Sequence, residues 1–227
     1  METATDICSV AVSEGEKLLA LVESGQERNH AKLLNPFIRE ALKKAGLAFE
    51  NLDGVAVSKG PGSYTGLRIG VSTAKGLAYA RNLPLLATGT LENMAYAALE
   101  HPRVRQLEEN WLLCPMIDAR RMEVYAAFFN TGMQLVREVS ADIIDKDSYR
   151  DLLKDHPICF FGNGASKCRD VLPAGNTLFL EDVHPSASAM IRPVLTQFRA
   201  GQFEDVAYFE PFYLKDFVAT IPRKKVL

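Results

Sequence analysis

Gly66, Gly70, Ala74 and Ala78 recur every four residues, directly after a turn made of Gly60, Pro61 and Gly62. On a helix with about 3.6 residues per turn they form one slowly drifting stripe that carries almost no side chain. A glycine inside a helix costs about 1 kcal/mol relative to alanine. Two of them on one face therefore imply that another backbone comes close enough to offset that cost. Upstream, Val55 and Val57 fall on one face of a short run and Ala56 on the other, which suits a buried strand. Pro61 fixes its own φ and the flanking glycines permit positive φ, so the chain turns sharply there. Ser63 and Thr65 are the candidate N-caps of the helix that follows.

A strand that turns straight into a helix can aim backbone N–H groups at an anion. The segment is thus either a phosphate site or a packing surface. A Walker A loop requires Gly-Lys-Ser/Thr at its end, and Gly66 is followed by Leu67. The dinucleotide spacing fails as well, because three residues separate Gly62 from Gly66. Both motifs being broken favours a tight turn and a closely packed helix, with Ser63 and Thr65 kept as anion-contact candidates.

The rest of the chain reads as alternating strands and helices. Strands are expected at 7–12 and 17–22, joined at Gly15, then a helix over 29–45 with Leu34, Ile38 and Ala41 on one face and Pro36 inside it. A strand at 83–87 and a helix at 90–100 follow the small-residue helix. After a joint near 101–109 come strands at 111–117, 123–129 and 134–139, a helix at 146–155, strands at 157–161 and 177–180, and a helix at 186–199. The order β-β-β-α-β-α is written twice, although no sequence identity links the copies. Two lobes are expected, 1–104 and 105–227.

Such a repeat suggests the two-lobed fold shared by actin, sugar kinases and Hsp70, in which the first hairpin turn of each lobe clasps ATP phosphates. The second-lobe turn here is Asp118-Ala119-Arg120-Arg121. It supplies an acid but neither the glycine nor the hydroxyl of a close backbone cradle. Asp118 and Arg120 remain candidate nucleotide contacts, and an actin-like ATPase or phosphotransferase is the alternative function.

Other chemistries find little support. His30, His101, His156 and His184 include no pair four apart, so no helix presents a His-x3-His metal face. His30 reads as a surface or capping residue. Gly62-Ser63-Tyr64-Thr65-Gly66 is not a nucleophile elbow in a recognisable triad order, which leaves a peptidase without a catalytic set. Cys8, Cys114, Cys159 and Cys168 form no C-x-x-C pair and read as reduced, partly buried thiols. No apolar run approaches the roughly 20 residues that span a bilayer, and no secretory leader is recognised, so a cytoplasmic chain without cofactor or metal is expected. With a formal net charge of −2 and one basic cluster at Arg223-Lys224-Lys225, direct binding to nucleic acid is expected to be weak.

The runs Glu2–Val12, Arg28-Asn29-His30, Gly60–Gly70, Ile117–Tyr125 and Pro211–Lys215 together resemble the TsaB (YeaZ) family. That resemblance implies an actin-like, ribonuclease-H-like α/β fold in a non-catalytic member. It further implies a scaffold that activates TsaD in threonylcarbamoyl transfer to the adenosine beside the tRNA anticodon, with TsaE as a further partner and a homodimer when alone. The first-lobe helices would make the contact, through Leu33, Leu34 and Phe37 on one and Tyr64, Gly66, Leu67, Gly70, Ala74 and Ala78 on the other. Family members carry a few apolar residues before the Glu-Thr-Ala-Thr turn, whereas Met1 directly precedes Glu2 here. A sheet short of an inner strand is expected to expose backbone groups and apolar surface.

Overall fold

A computed structural model describes residues 1–25, 29–173 and 175–215. Arg28 and the Arg223–Lys225 cluster lie outside them. The chain opens with a buried segment, Met1 to Thr5, and then forms the antiparallel hairpin β1 (Cys8–Glu14) and β2 (Lys17–Ser24), with Val10 opposite Val22. Gly15 turns the hairpin at φ 55°. Helix α1 (His30–Ala45) stops at Gly46, whose left-handed φ of 69° lets its own N–H and that of Leu47 reach back to the Lys43 and Leu42 carbonyls. Pro36 sits inside it without breaking it.

Strand β3 (Val55–Gly60) runs parallel to β4 (Leu85–Gly89), with α2 (Tyr64–Arg81) as the crossover. The two strand pairs are joined by Met1 and Glu2. The Met1 amine donates to the Ala56 carbonyl at 2.9 Å, and Ser58 N–H donates to the Met1 carbonyl at 3.0 Å. On the other side Glu2 exchanges both backbone hydrogen bonds with Ser9, at 2.8 and 3.0 Å. These two residues stand as a short inner strand, parallel to β3 and antiparallel to β1. Helices α1 and α2 cover one side of this sheet.

The second sheet has five strands in the order β7-β6-β5-β8-β9. Strands β5 (Leu112–Asp118), β6 (Glu123–Asn130) and β7 (Leu135–Ile143) are antiparallel; β8 (Ile158–Phe161) and β9 (Thr177–Leu180) add in parallel to β5. Both faces of its centre are buried. Leu113, Ala127 and Phe161 pack on helix α3 (Thr90–Leu99), while Met116, Phe128 and Phe160 pack on the other side with Ile144 and Leu172. Helix α3 contacts β3 as well as β5, and the C-terminal helix α5 (Ile191–Arg199) packs back on β4. Each sheet is thus covered partly by a helix that belongs to the other half of the sequence.

Three elements depart from the expected spans. Helix α4 is only Arg150–Asp155, because Asp145 and Ser148 bond each other's backbone and side chain in a turn and Tyr149 adopts φ 62°. Strand β7 runs to Ile143, four residues past the expected end at 139. The 186–199 helix begins as a 3-10 turn, Ala187–Met190, and turns α-helical at Ile191.

Candidate partner interface and the turns beside it

Ser63 caps α2: its hydroxyl accepts from Gly66 N–H at 3.3 Å, and its own N–H donates to the Ala4 carbonyl at 2.6 Å. The turn before it is held in place by the N-terminal segment. A β-carbon on Gly62 would overlap the Ala4 backbone, one on Gly66 the Thr3 carbonyl, and one on Gly70 the Thr3 hydroxyl. The smooth stripe therefore seats residues 3 and 4 of the same chain. Gly66, Leu67, Gly70, Ala74 and Ala78 are all buried, as is Leu34 on α1. The expectation that these residues form a partner-facing surface is corrected at those positions, because the close approach that the glycines allow is already used inside the chain.

What α2 shows to solvent is a different stripe: Thr65, Arg68, Ser72, Gly76 and Tyr79, spaced three and four apart. Gly76 has open space where a β-carbon would stand, and Tyr79 is 83% exposed. Leu33 and Phe37 are half-buried on α1, packed against the core from its rim. Tyr64 packs against Tyr213 with ring centroids 4.9 Å apart and the planes tilted by 34°, and Arg68 donates to the Tyr64 hydroxyl at 2.6 Å. Gly76 lies outside the four-residue repeat of the inner stripe, and its place three residues before Tyr79 is the sequence signal for the outer face.

The anion-contact candidates come from two separate turns. Ser63 and Thr65 stand at the start of α2, Asp118 and Arg120 at the β5–β6 turn of the other sheet. Segment 212–215 links the two places: Phe212 N–H donates to the Lys59 carbonyl at 2.7 Å, Tyr213 packs against Tyr64, and Lys215 pairs with Glu123. At the second turn Lys167 fills the polar centre. Its ammonium pairs with Asp118 and donates to the Arg121 and Glu123 carbonyls, each at 2.7 Å. Asp118 also accepts from Arg120 N–H at 2.8 Å. The carboxylate that would position a metal thus already carries a cation, and no local pattern announced a lysine 49 residues away.

A buried polar group lies behind the turns. Glu2 is fully buried, and burial pushes its carboxyl above the ordinary carboxylate range. One of its oxygens accepts from Ala4 N–H at 2.7 Å. Ser58 and Thr90 share a hydrogen bond of 2.8 Å, and Asn93 is buried nearby. His30 is buried rather than a surface residue, with Nε2 2.6 Å from the Thr5 carbonyl. All four cysteines are free and buried. Among the described residues no cluster of histidine, cysteine and carboxylate has the makings of a metal site, and no helix is long and apolar enough to cross a membrane.

The family model described as TsaD, tRNA N6-adenosine threonylcarbamoyltransferase, matches residues 18–222. A Haemophilus influenzae protein named tRNA threonylcarbamoyladenosine biosynthesis protein TsaB is 36% identical over 68% of this chain and 61% of its own length. Thus the chain spans less than two thirds of that relative. The Escherichia coli protein of the same name is 29% identical, over 96% of this chain and 94% of its own. The chain belongs to the TsaB (YeaZ) branch of the TsaD family. A solved Pseudomonas aeruginosa structure, described as a protein with similarity to peptidase YeaZ, superposes with a TM-score of 0.81 at 25% identity over 94% of this chain and 97% of that one. The fold of this TsaB-family chain is accordingly the two-lobed actin-like α/β fold, with the Met1–Glu2 strand, β1 and β2 as its first meander and β5, β6 and β7 as its second.

Proposed function

We propose that this TsaB-family chain acts in tRNA threonylcarbamoyladenosine biosynthesis as a non-catalytic scaffold. It binds and activates TsaD for threonylcarbamoyl transfer to the adenosine next to the anticodon. TsaE joins the same assembly, tRNA is engaged through the complex, the site of action is the cytoplasm, and the free chain pairs with itself. The names of the relatives support the pathway. The observation that carries the non-catalytic reading is Lys167, which occupies the turn where an actin-like enzyme would hold phosphate and metal. The partner face proposed is the outer side of α1 and α2, from Leu33 and Phe37 across to Ser72 and Gly76. A helix surface that exposes a glycine with open space around it lets a second helix approach closely.

Light scattering after size exclusion, for the chain alone and mixed with TsaD from the same source, tests this. A species at the summed mass is expected. Two separate folded proteins would refute the scaffold role. ATP turnover by the isolated chain, abolished by Asp118→Ala, would instead establish the phosphotransferase alternative.

A further inference from the structure

The five-stranded sheet ends at β9, whose outer side pairs with no other strand among the described residues. The register fixes what that side presents. Ile158 lies opposite Thr177, and its N–H donates to the Asn176 carbonyl at 2.9 Å. In a parallel ladder Leu178 and Leu180 therefore turn their backbone groups toward β8, and Phe179 turns both of its own outward. The Thr177 carbonyl points outward as well, while its N–H donates to the Gly175 carbonyl at 2.7 Å. A groove of about 630 Å³ follows this edge from Thr177 to Asp182, with His101, Arg103 and Arg169 on its walls. That is the usual size of a binding cleft.

The two walls differ in chemistry. Leu178 and Leu180 face the α3 side, and Phe179 faces the other way, with the Arg169 guanidinium 5.3 Å from its ring centre. Arg169 pairs with Glu181 at 2.9 Å, and His101 lies 3.3 Å from Asp182. Arg103 is exposed, and its side chain has no acidic partner among the described residues. Burial pushes the Cys159 thiol up and the Arg103 charge draws it back, so Arg103 stands near the rung where Cys159 lies opposite Leu178. Glu181 and Asp182 in the same groove repel a polyanion such as nucleic acid. One carboxylate in register with Arg103 completes the charge pattern.

We infer that the outer edge of β9 docks an extended segment of a protein partner, added antiparallel as a sixth strand with a Glu or Asp side chain on Arg103. The residue opposite Phe179 exchanges both hydrogen bonds with it and packs an apolar side chain beside its ring. The next residue lies opposite Leu178 and carries the carboxylate. The one before lies opposite Leu180 and is apolar, because cross-strand neighbours share a face. About five residues cover the edge at roughly 3.4 Å each. Main-chain bonds supply affinity and the Arg103 pair supplies register, the division of labour of strand addition. The inference is independent of the partner face proposed on α1 and α2.

The probe is a fluorescein-labelled peptide, Gly-Ser-Thr-Val-Ile-Glu-Thr-Gly-Ser with both ends blocked, followed by anisotropy with the full chain at low salt. Saturable one-to-one binding is expected. Replacing the peptide's glutamate by lysine should weaken it roughly tenfold. N-methylation of its isoleucine, which removes the donor to the Phe179 carbonyl, should weaken it by as much. Arg103→Glu should release the glutamate peptide and take the lysine peptide instead. Should that variant not fold, the two altered peptides decide the matter on the parent chain. No binding at millimolar peptide, undiminished binding of the N-methylated peptide, or an Arg103→Glu chain that still prefers glutamate would overturn the inference. So would a dimer whose light-scattering mass halves in Arg103→Glu, which would give the edge to a second copy of the chain.

Discussion

Gly70 lies against Thr3 so closely that a β-carbon on the glycine would overlap the threonine hydroxyl. One helix position thereby fixes where the N-terminal segment runs. That segment in turn joins β1 to β3, so the glycine stripe holds together the first sheet.

Gly70→Ala is expected to destabilise the chain by about 1–3 kcal/mol through overpacking. At this chain length each kcal/mol lowers the melting temperature by roughly 2–4 °C. Combining it with Thr3→Ala removes the clashing hydroxyl, so the double variant should lose less than the sum of the two singles. Strict additivity in thermal melts would show that the two residues do not press on each other.

Gly76→Leu tests the outer face of α2. Nothing stands within 4 Å of a β-carbon there, so stability should stay within about 0.5 kcal/mol of the parent. The complex with TsaD should be lost in size exclusion with light scattering. Gly70→Leu is a poorer probe of the same idea, because it would disturb the fold before it reached a partner. A complex that survives Gly76→Leu would move the partner face off this part of α2.

Lys167→Met keeps the stem but removes three polar contacts at the β5–β6 turn. Arg120 and Arg121 both hold positive φ there, at 72° and 49°, and the Arg121 carbonyl loses its donor. A loss of about 1–3 kcal/mol in denaturant unfolding is expected, within the range for hydrogen bonds to a charged group. An unchanged midpoint would show that the turn holds without the lysine.

The Met1 amine by itself contributes a rise in stability between pH 6 and pH 8. Burial lowers the Met1 amine from 8.0 to about 6 in the folded chain. Across that window the unfolded chain holds the proton and the folded chain has released it, so raising the pH favours folding. The rise amounts to roughly 2–3 kcal/mol, at about 1.4 kcal/mol per pH unit. Acetylation of the amine should flatten the profile, measured as denaturant midpoint against pH. A profile equally steep after acetylation would assign the effect to another group.

Much of the fold was legible because its signals are local. The alternation of Val55, Ala56 and Val57 marks a strand, Gly46 marks the end of α1, and Ser63 marks the start of α2, each within a few residues of the structural event. Helix α4 was overextended because competing side-chain bonds at Asp145 and Ser148 hold the backbone in a turn where the hydrophobic pattern continues. His30 read as polar surface, yet it is buried against Thr5, a contact that only folding creates.

The sequence by itself determined that α2 has a smooth face, that the second half opens on three strands followed by a helix, and that the second turn lacks a phosphate cradle. These depend on residue type and spacing along one element. Only the tertiary structure decided which way the smooth face points and what fills it. Thr3 reaches Gly70 and Lys167 reaches Asp118 across 67 and 49 residues of chain. Helical period specifies a face without specifying its neighbour. The neighbour is set by which burial satisfies the backbone groups of Met1 and Glu2 between two strands, a choice made by the whole sheet at once.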